Sequence, residues 1–81
     1  MLKNYHDLNW LQKLLIKRWF KRHSLHLVGL KAIGAVDVIN LWNDNLLFSF
    51  YRDAQNIDKY TDLLERYNEN YIIYENVIFV L

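Results

Sequence analysis

The chain has 81 residues, of which 53% are hydrophobic and 16% aromatic, with a formal net charge of +1. So apolar a composition excludes an intrinsically disordered chain, and the length predicts one compact domain over residues 1–81. Because the sequence contains no cysteine, disulfide bonds and thiolate zinc sites are both excluded.

The small net charge conceals a strong segregation of charge along the chain. Residues 1–31 contain seven basic side chains and one acidic side chain, a net charge of +6. Residues 32–81 contain three basic and eight acidic side chains, a net charge of −5. Oppositely charged regions of a small protein attract opposite partners, or each other in two copies of the chain. The split indicates where binding is expected and names no activity.

The first predicted element is a helix from about Asp7 to Arg22. Asp7 is a residue type that caps helices, and its position suits the start of the helix. Apolar side chains recur every three or four residues along the segment, at Leu8, Leu11, Leu15 and Trp19. This spacing predicts one apolar stripe that packs against the rest of the domain.

The middle of the chain is predicted to supply most of an antiparallel sheet. Leu25 to Lys31 fits either an extended strand or a second short helix, and its β-branched content favours the strand. Val36 to Trp42 and Leu46 to Arg52 predict a β-hairpin, because turn-forming residues separate these two β-rich runs. Alternation along the second run predicts that one set of side chains faces the core, namely Leu46, Phe48 and Phe50.

A second helix is predicted over about Ala54 to Asn68, with Asp53 as its N-cap. Its apolar face comprises Ile57, Tyr60, Leu64 and Tyr67, and its other face is acidic, with Asp58, Asp62 and Glu65. Tyr71 to Leu81 is apolar except at Glu75 and Asn76, which predicts one buried strand or two short strands with a kink between them.

The predicted elements together indicate an α+β fold. Its order is an N-terminal helix, an antiparallel sheet of about three to four strands including the hairpin, a second helix and a C-terminal strand.

The first helix carries the candidate partner-binding surface. At about 100° per residue, its lysines align opposite the apolar stripe, and the aromatic rings of Trp10 and Phe20 fall beside them. Aromatic rings among cations suit base stacking with phosphate contacts, an acidic protein surface or an anionic membrane surface. The simpler alternative is a solvated face whose aromatic residues are covered by another element or by a second copy. The candidate residues are Trp10, Lys13, Lys17, Arg18, Phe20, Lys21 and Arg22.

Signatures of catalysis are sparse. His23 and His26 are three residues apart and would share a metal ion on one helical turn, but no third ligand has suitable spacing. The chain has no glycine-rich phosphate loop, no H-E-x-x-H motif and no nucleophile elbow. We therefore expect a protein that is not an enzyme and that uses no metal and no cofactor.

Size and composition favour a small binding protein that acts by occupying a macromolecular partner, most simply a protein or a nucleoprotein. An inhibitor or adaptor encoded by a phage or mobile element, for example one that blocks a host defence nuclease, is a concrete form of this hypothesis. The alternative is a nucleic-acid-binding protein that uses the same helix. Self-association of the basic helix of one copy with the acidic helix of another also remains open.

The sequence also bears on location. No apolar run reaches the length of a membrane-spanning helix, and the N-terminus lacks the order of segments found in a signal peptide. An intracellular, cytoplasmic location with no membrane span is therefore expected.

Overall fold

The computed structural model describes residues 1–81 and contains three helices and one four-stranded sheet. The helices are α1 (Trp10–Arg22), α2 (Ser24–Ile33) and α3 (Ala54–Arg66). The strands are β1 (Ala35–Asn40), β2 (Leu46–Tyr51), β3 (Tyr71–Tyr74) and β4 (Val77–Val80). The predicted α+β class is confirmed, as are the leading helix, the hairpin of β1 and β2, the helix after it and the C-terminal strand. None of the three helices is long and apolar enough to cross a membrane.

Helix α1 begins at Trp10, three residues later than the sequence predicts. Asn9 forms a capping box in which its side chain accepts from the Gln12 N–H at 2.8 Å, and the Gln12 side chain accepts from the Asn9 N–H at 3.1 Å. Asp7 instead closes a short 3-10 turn, Tyr5–Asp7. A capping box satisfies backbone donors reciprocally, which explains why the helix starts after Asn9.

Residues 24–33 form α2, so the strand predicted over Leu25 to Lys31 is wrong. A glycine and a β-branched residue inside a helix cost only about 1 kcal/mol or less each, and packing outweighs this cost. Leu30 is buried against the sheet, and Leu27 packs beside it. Gly34 ends the helix in the left-handed conformation, with a φ of 67° that glycine adopts without steric cost.

The sheet has the order β2-β1-β4-β3. The outer pairs are antiparallel, as predicted, whereas β1 and β4 run parallel at the centre, so the sheet is mixed. The parallel pair arises because α3 carries the chain back across the sheet before the β3–β4 hairpin. Glu75 and Asn76 form the turn of that hairpin, so Tyr71 to Leu81 contains two short strands, and the chain reverses direction between them where a kink was predicted.

The sheet is covered on both faces. Helices α1 and α2 pack on one face, where Ile16, Trp19 and Leu30 contact a layer that includes Phe79. Helix α3 packs on the other face through Leu64. Four residues of the two central strands are completely buried, because both of their faces are covered: Val38, Val77, Ile78 and Phe79.

Strand β2 lies at an edge of the sheet, and its side chains are more exposed than the sequence predicts. Leu46 is 58% exposed and Phe48 50%, so the prediction that they face the core is wrong, and Phe50 is only half-buried. Helix α3 contacts the strand through Tyr60, whose ring stacks on Phe48 with 5.7 Å between centroids, and through the Asn56 amide, which donates to the Tyr51 carbonyl at 3.3 Å. The sequence alternation of β2 therefore does not produce a buried face, since five of its six residues are exposed.

The predicted N-cap of α3, Asp53, can be tested directly by substitution. Asp53 accepts a hydrogen bond from the Asn56 N–H at 2.8 Å, as a helix cap should. We expect Asp53→Ala to lower the free energy of unfolding by about 1 kcal/mol, measured by urea denaturation. The exposed Asp58 of the same helix is the control, and Asp58→Ala should cost less than about 0.5 kcal/mol. Equal losses in the two variants would contradict the capping role.

Candidate functional site

The surface of α1 that faces away from the sheet carries cations beside exposed apolar side chains. Trp10 is 75% exposed at the start of the helix, and Leu14 is exposed one turn later. The helix contains no acidic residue. We call this surface the α1 outer face and define it by Trp10, Lys13, Leu14, Lys17, Arg18 and Lys21.

Four cations of the α1 outer face have no anionic partner. The salt bridges of other basic residues join Arg22 to Asp44 at 3.1 Å and Lys31 to Glu75 at 3.3 Å. Lys13 instead places its ammonium nitrogen 5.6 Å from the ring centroid of Tyr5, a cation–π contact. Because none of these four cations forms a salt bridge, they give the face a positive potential that attracts anionic groups.

The structure brings five of the seven predicted binding residues together on this face, and two are engaged elsewhere. Phe20 is half-buried between α1 and the sheet, with its ring centroid 5.0 Å from that of Tyr74 and 5.2 Å from that of Trp19. Arg22 turns toward the β1–β2 loop, where it pairs with Asp44. Phe20 therefore contributes packing, and the exposed aromatic ring of the face is that of Trp10.

The basic helix α1 and the acidic helix α3 lie on opposite faces of the sheet. Helix α3, which carries Asp58, Asp62 and Glu65, packs on the sheet face opposite to α1. Its acidic character is moderated by Lys59 and Arg66. The sheet therefore separates the α1 outer face from the acidic side chains of α3, which limits neutralisation of its cations by that helix.

Two tyrosine hydroxyls on the α3 side are held in the neutral form. Burial raises the pKa of Tyr60, and the charge of Glu69 raises it further. Burial also raises the pKa of Tyr71, followed by its hydrogen bond to Glu65 and the charges of Glu65 and Asp62. The Tyr71 hydroxyl donates that bond to Oε1 of Glu65 at 3.1 Å. Neither hydroxyl adds negative charge near neutral pH, so the acidity of this side comes from carboxylates alone.

A buried carboxylate between α2 and the sheet was not predicted. Asp37 of β1 is 3% exposed, accepts a hydrogen bond from the Ser49 hydroxyl and pairs with Nε2 of His26. Ser49 is its register partner on β2, and His26 reaches it from α2. The available sequence signal was a lone acid between Val36 and Val38, two residues of a buried strand. The contact with His26 does not follow from the sequence, because residues 25–31 are predicted to form a strand and not a helix.

This network has the residue types of a catalytic triad in a different arrangement. The Ser49 hydroxyl donates to the carboxylate of Asp37 and not to the imidazole, so no base is positioned to activate it as a nucleophile. His23 does not join, since its ring lies against Trp19 with centroids 4.9 Å apart. No three histidine, aspartate or glutamate side chains are grouped to hold a metal ion. The network therefore links α2 to the sheet.

Three comparisons with known proteins give no further guide. The chain matches no family model, no curated protein and no solved structure.

Proposed function

We propose that the protein is a small non-catalytic binding module that acts by occupying an acidic macromolecular partner with the α1 outer face. One observation carries the proposal: four unpaired cations lie beside an exposed tryptophan on a helix without acidic residues. Cations in this setting steer an anionic partner toward the face, and Trp10 supplies contact area in the bound complex.

The apolar part of the face favours a protein or nucleoprotein partner. Trp10 and Leu14 of this face are exposed in the first half of α1, beside the exposed Leu11, whereas Lys17, Arg18 and Lys21 occupy the second half. Protein interfaces combine an apolar anchor with a charged rim in this way. Phosphate groups would contact the cations alone and would leave Leu11 and Leu14 without a role.

An inhibitor or adaptor encoded by a phage or mobile element is the concrete form of this proposal. Such a protein works by covering a functional surface, and it needs no chemistry of its own. Nucleases that use divalent metals hold them with clusters of carboxylates. A cluster of that kind on a host defence nuclease has the charge that complements the α1 outer face.

A nucleic-acid partner is the second candidate, and the exposed ring of Trp10 among cations favours it. An aromatic ring next to phosphate-binding lysines is a stacking platform for an unpaired base. Four phosphate contacts predict a log–log salt slope of about −3.6 on duplex DNA, at about 0.9 per contact. A protein interface anchored on Trp10 should depend on salt much less steeply.

Charge reversal on α1 tests the proposed face. We expect Lys17→Glu combined with Lys21→Glu to weaken binding of the recovered partner at least tenfold, about 1.4 kcal/mol, because like charges then oppose each other. The control combines Lys59→Glu with Arg66→Glu on α3, which changes the net charge by the same amount. Titration calorimetry measures both, and circular dichroism checks that both variants fold. Equal affinities in the two double variants would contradict the assignment of the site to α1.

A further inference from the structure

Strand β2 leaves one edge of the sheet without a neighbouring strand, whereas the opposite edge is covered at Tyr71, the first residue of β3. At β3 the N-terminal residues run alongside the strand: the Lys3 N–H donates to the Tyr71 carbonyl at 2.8 Å, and the Tyr71 N–H donates to the Met1 carbonyl at 3.1 Å. No strand pairs with the outer side of β2, although the Tyr51 carbonyl at the end of the strand accepts from the Asp53 N–H at 3.0 Å. An open edge presents unpaired backbone donors and acceptors that can pair with another strand.

Strand β2 also lacks the features that normally protect an open edge. Its sequence, LLFSFY, contains no charged residue and no proline. Tyr51 is 69% exposed, and Phe48 is half exposed on the opposite face of the strand. Apolar grooves border the strand on both faces, one beside Phe48 and Tyr60 and the other beside Ile33 and Tyr51. Both faces of the edge are thus apolar, which suits burial against another strand.

We propose that β2 pairs antiparallel with β2 of a second copy of this chain, joining the two sheets into one continuous sheet around a two-fold axis. The backbone directions support this pairing. The Arg52 N–H donates to the Gly34 carbonyl, so the alternation of an antiparallel pair directs the N–H and C=O of Ser49 away from β1. In a pairing centred on Ser49, the two Ser49 residues exchange both of their backbone hydrogen bonds.

The sequence of β2 is self-complementary, which identifies the strand that pairs with it as β2 of a second copy. Centred on Ser49, the pairing sets Phe48 of each copy opposite Phe50 of the other, an aromatic cross-strand pair that stabilises sheets. Arg52, the first charged residue after the strand, falls opposite Leu46 of the other copy. Its guanidinium group is already bound to Oδ1 of Asn76 at 3.2 Å. No like charges meet across the axis, and one uncharged strand supplies both halves of the interface.

The assembly is limited to two copies, and its two sheet faces differ. Each chain has one β2 edge, so the pairing uses the β2 edges of both copies and leaves no open β2 edge for a third copy. A two-fold axis perpendicular to the sheet places both α1–α2 layers on the same side of it. The dimer therefore presents two α1 outer faces on one side and two acidic α3 helices on the other.

The oligomeric state of the full chain tests this proposal. Light scattering after size-exclusion chromatography, from low to high micromolar protein, should show the mass rising from 9.9 kDa to twice that value. Leu47→Lys combined with Tyr51→Lys should keep the protein monomeric throughout, because charges on an edge strand block pairing. The matched control is Leu25→Lys combined with Val28→Lys on the exposed side of α2, which should still dimerise.

Hydrogen exchange on the unaltered chain provides a test that needs no variant. Protection of the Ser49 amide should rise with protein concentration, whereas the Phe50 amide, which is directed toward β1, should be protected at every concentration. A monomer at all concentrations, an assembly larger than two, a dimer that survives the β2 lysines, or concentration-independent exchange at Ser49 would each overturn the proposal. A monomer that instead binds a strand of another protein would assign the open edge to that partner.

Discussion

Replacing Trp19 with alanine is expected to lower the free energy of unfolding by about 3–5 kcal/mol. Trp19 is 3% exposed, and its ring lies 5.5 Å from that of Phe79, centroid to centroid, in an edge-to-face arrangement. It also contacts Phe20 and His23, so it joins α1 to the sheet. Small domains are stable by only about 5–15 kcal/mol, so this loss should leave the variant largely unfolded in mild denaturant. Urea denaturation followed by far-UV circular dichroism measures it.

The other tryptophans supply a matched control for this prediction. Trp10 is exposed, and the same substitution there removes the same side chain without opening a cavity. We expect Trp10→Ala to change the free energy of unfolding by less than about 0.5 kcal/mol. If Trp10→Ala and Trp19→Ala were equally destabilising, α1 would not pack on the sheet through the face described above.

Replacing His26 with alanine is expected to cost about 2 kcal/mol of stability. The substitution leaves the buried carboxylate of Asp37 with a single side-chain partner, the hydroxyl of Ser49. A hydrogen bond to a charged group contributes about 1.5–3 kcal/mol, and a buried charge that loses its partner is costly. Thermal and urea denaturation measure the loss. His6, an exposed histidine next to Asp7, is the control, and His6→Ala should have almost no effect.

A double variant separates loss of this pair from loss of packing. Asp37→Asn removes the buried charge while keeping an oxygen that can accept from Ser49. In the His26→Ala background, this second substitution should therefore cost less than it does alone, or should restore part of the stability. Strictly additive losses would show that His26 and Asp37 are not energetically coupled.

Most of the secondary structure could be predicted because its signals are local. Asp53 marks the start of α3 through its own side chain, and turn-forming residues mark the hairpin between β1 and β2. The sequence pattern does not distinguish helix α2 from a strand, since a short apolar run fits a buried strand as well as a helix. The parallel contact of β1 with β4 depends on where α3 returns the chain, and no local residue signals it.

The candidate surface was predictable in part for the same reason. The helical period alone places Lys17 and Lys21 on one side of α1, and the structure keeps them there. The fate of Phe20 depends on Tyr74 and Phe79, which are far away in the sequence. Likewise, the exposure of β2 depends on how much of the strand helix α3 covers. These features depend on tertiary packing, which cannot be predicted from the periodicity of the sequence.

The central claim is that the α1 outer face binds an acidic protein or nucleoprotein, and one pull-down tests it most directly. The tagged protein and the Lys17→Glu, Lys21→Glu double variant are each recovered from the native cell, with and without nuclease treatment. Bound proteins are then identified by mass spectrometry, and bound nucleic acids by sequencing. We expect a stoichiometric acidic protein that survives nuclease treatment and is lost with the double variant. Recovery of the same partner by both forms, or of nucleic acid alone, would contradict the claim that α1 binds a protein.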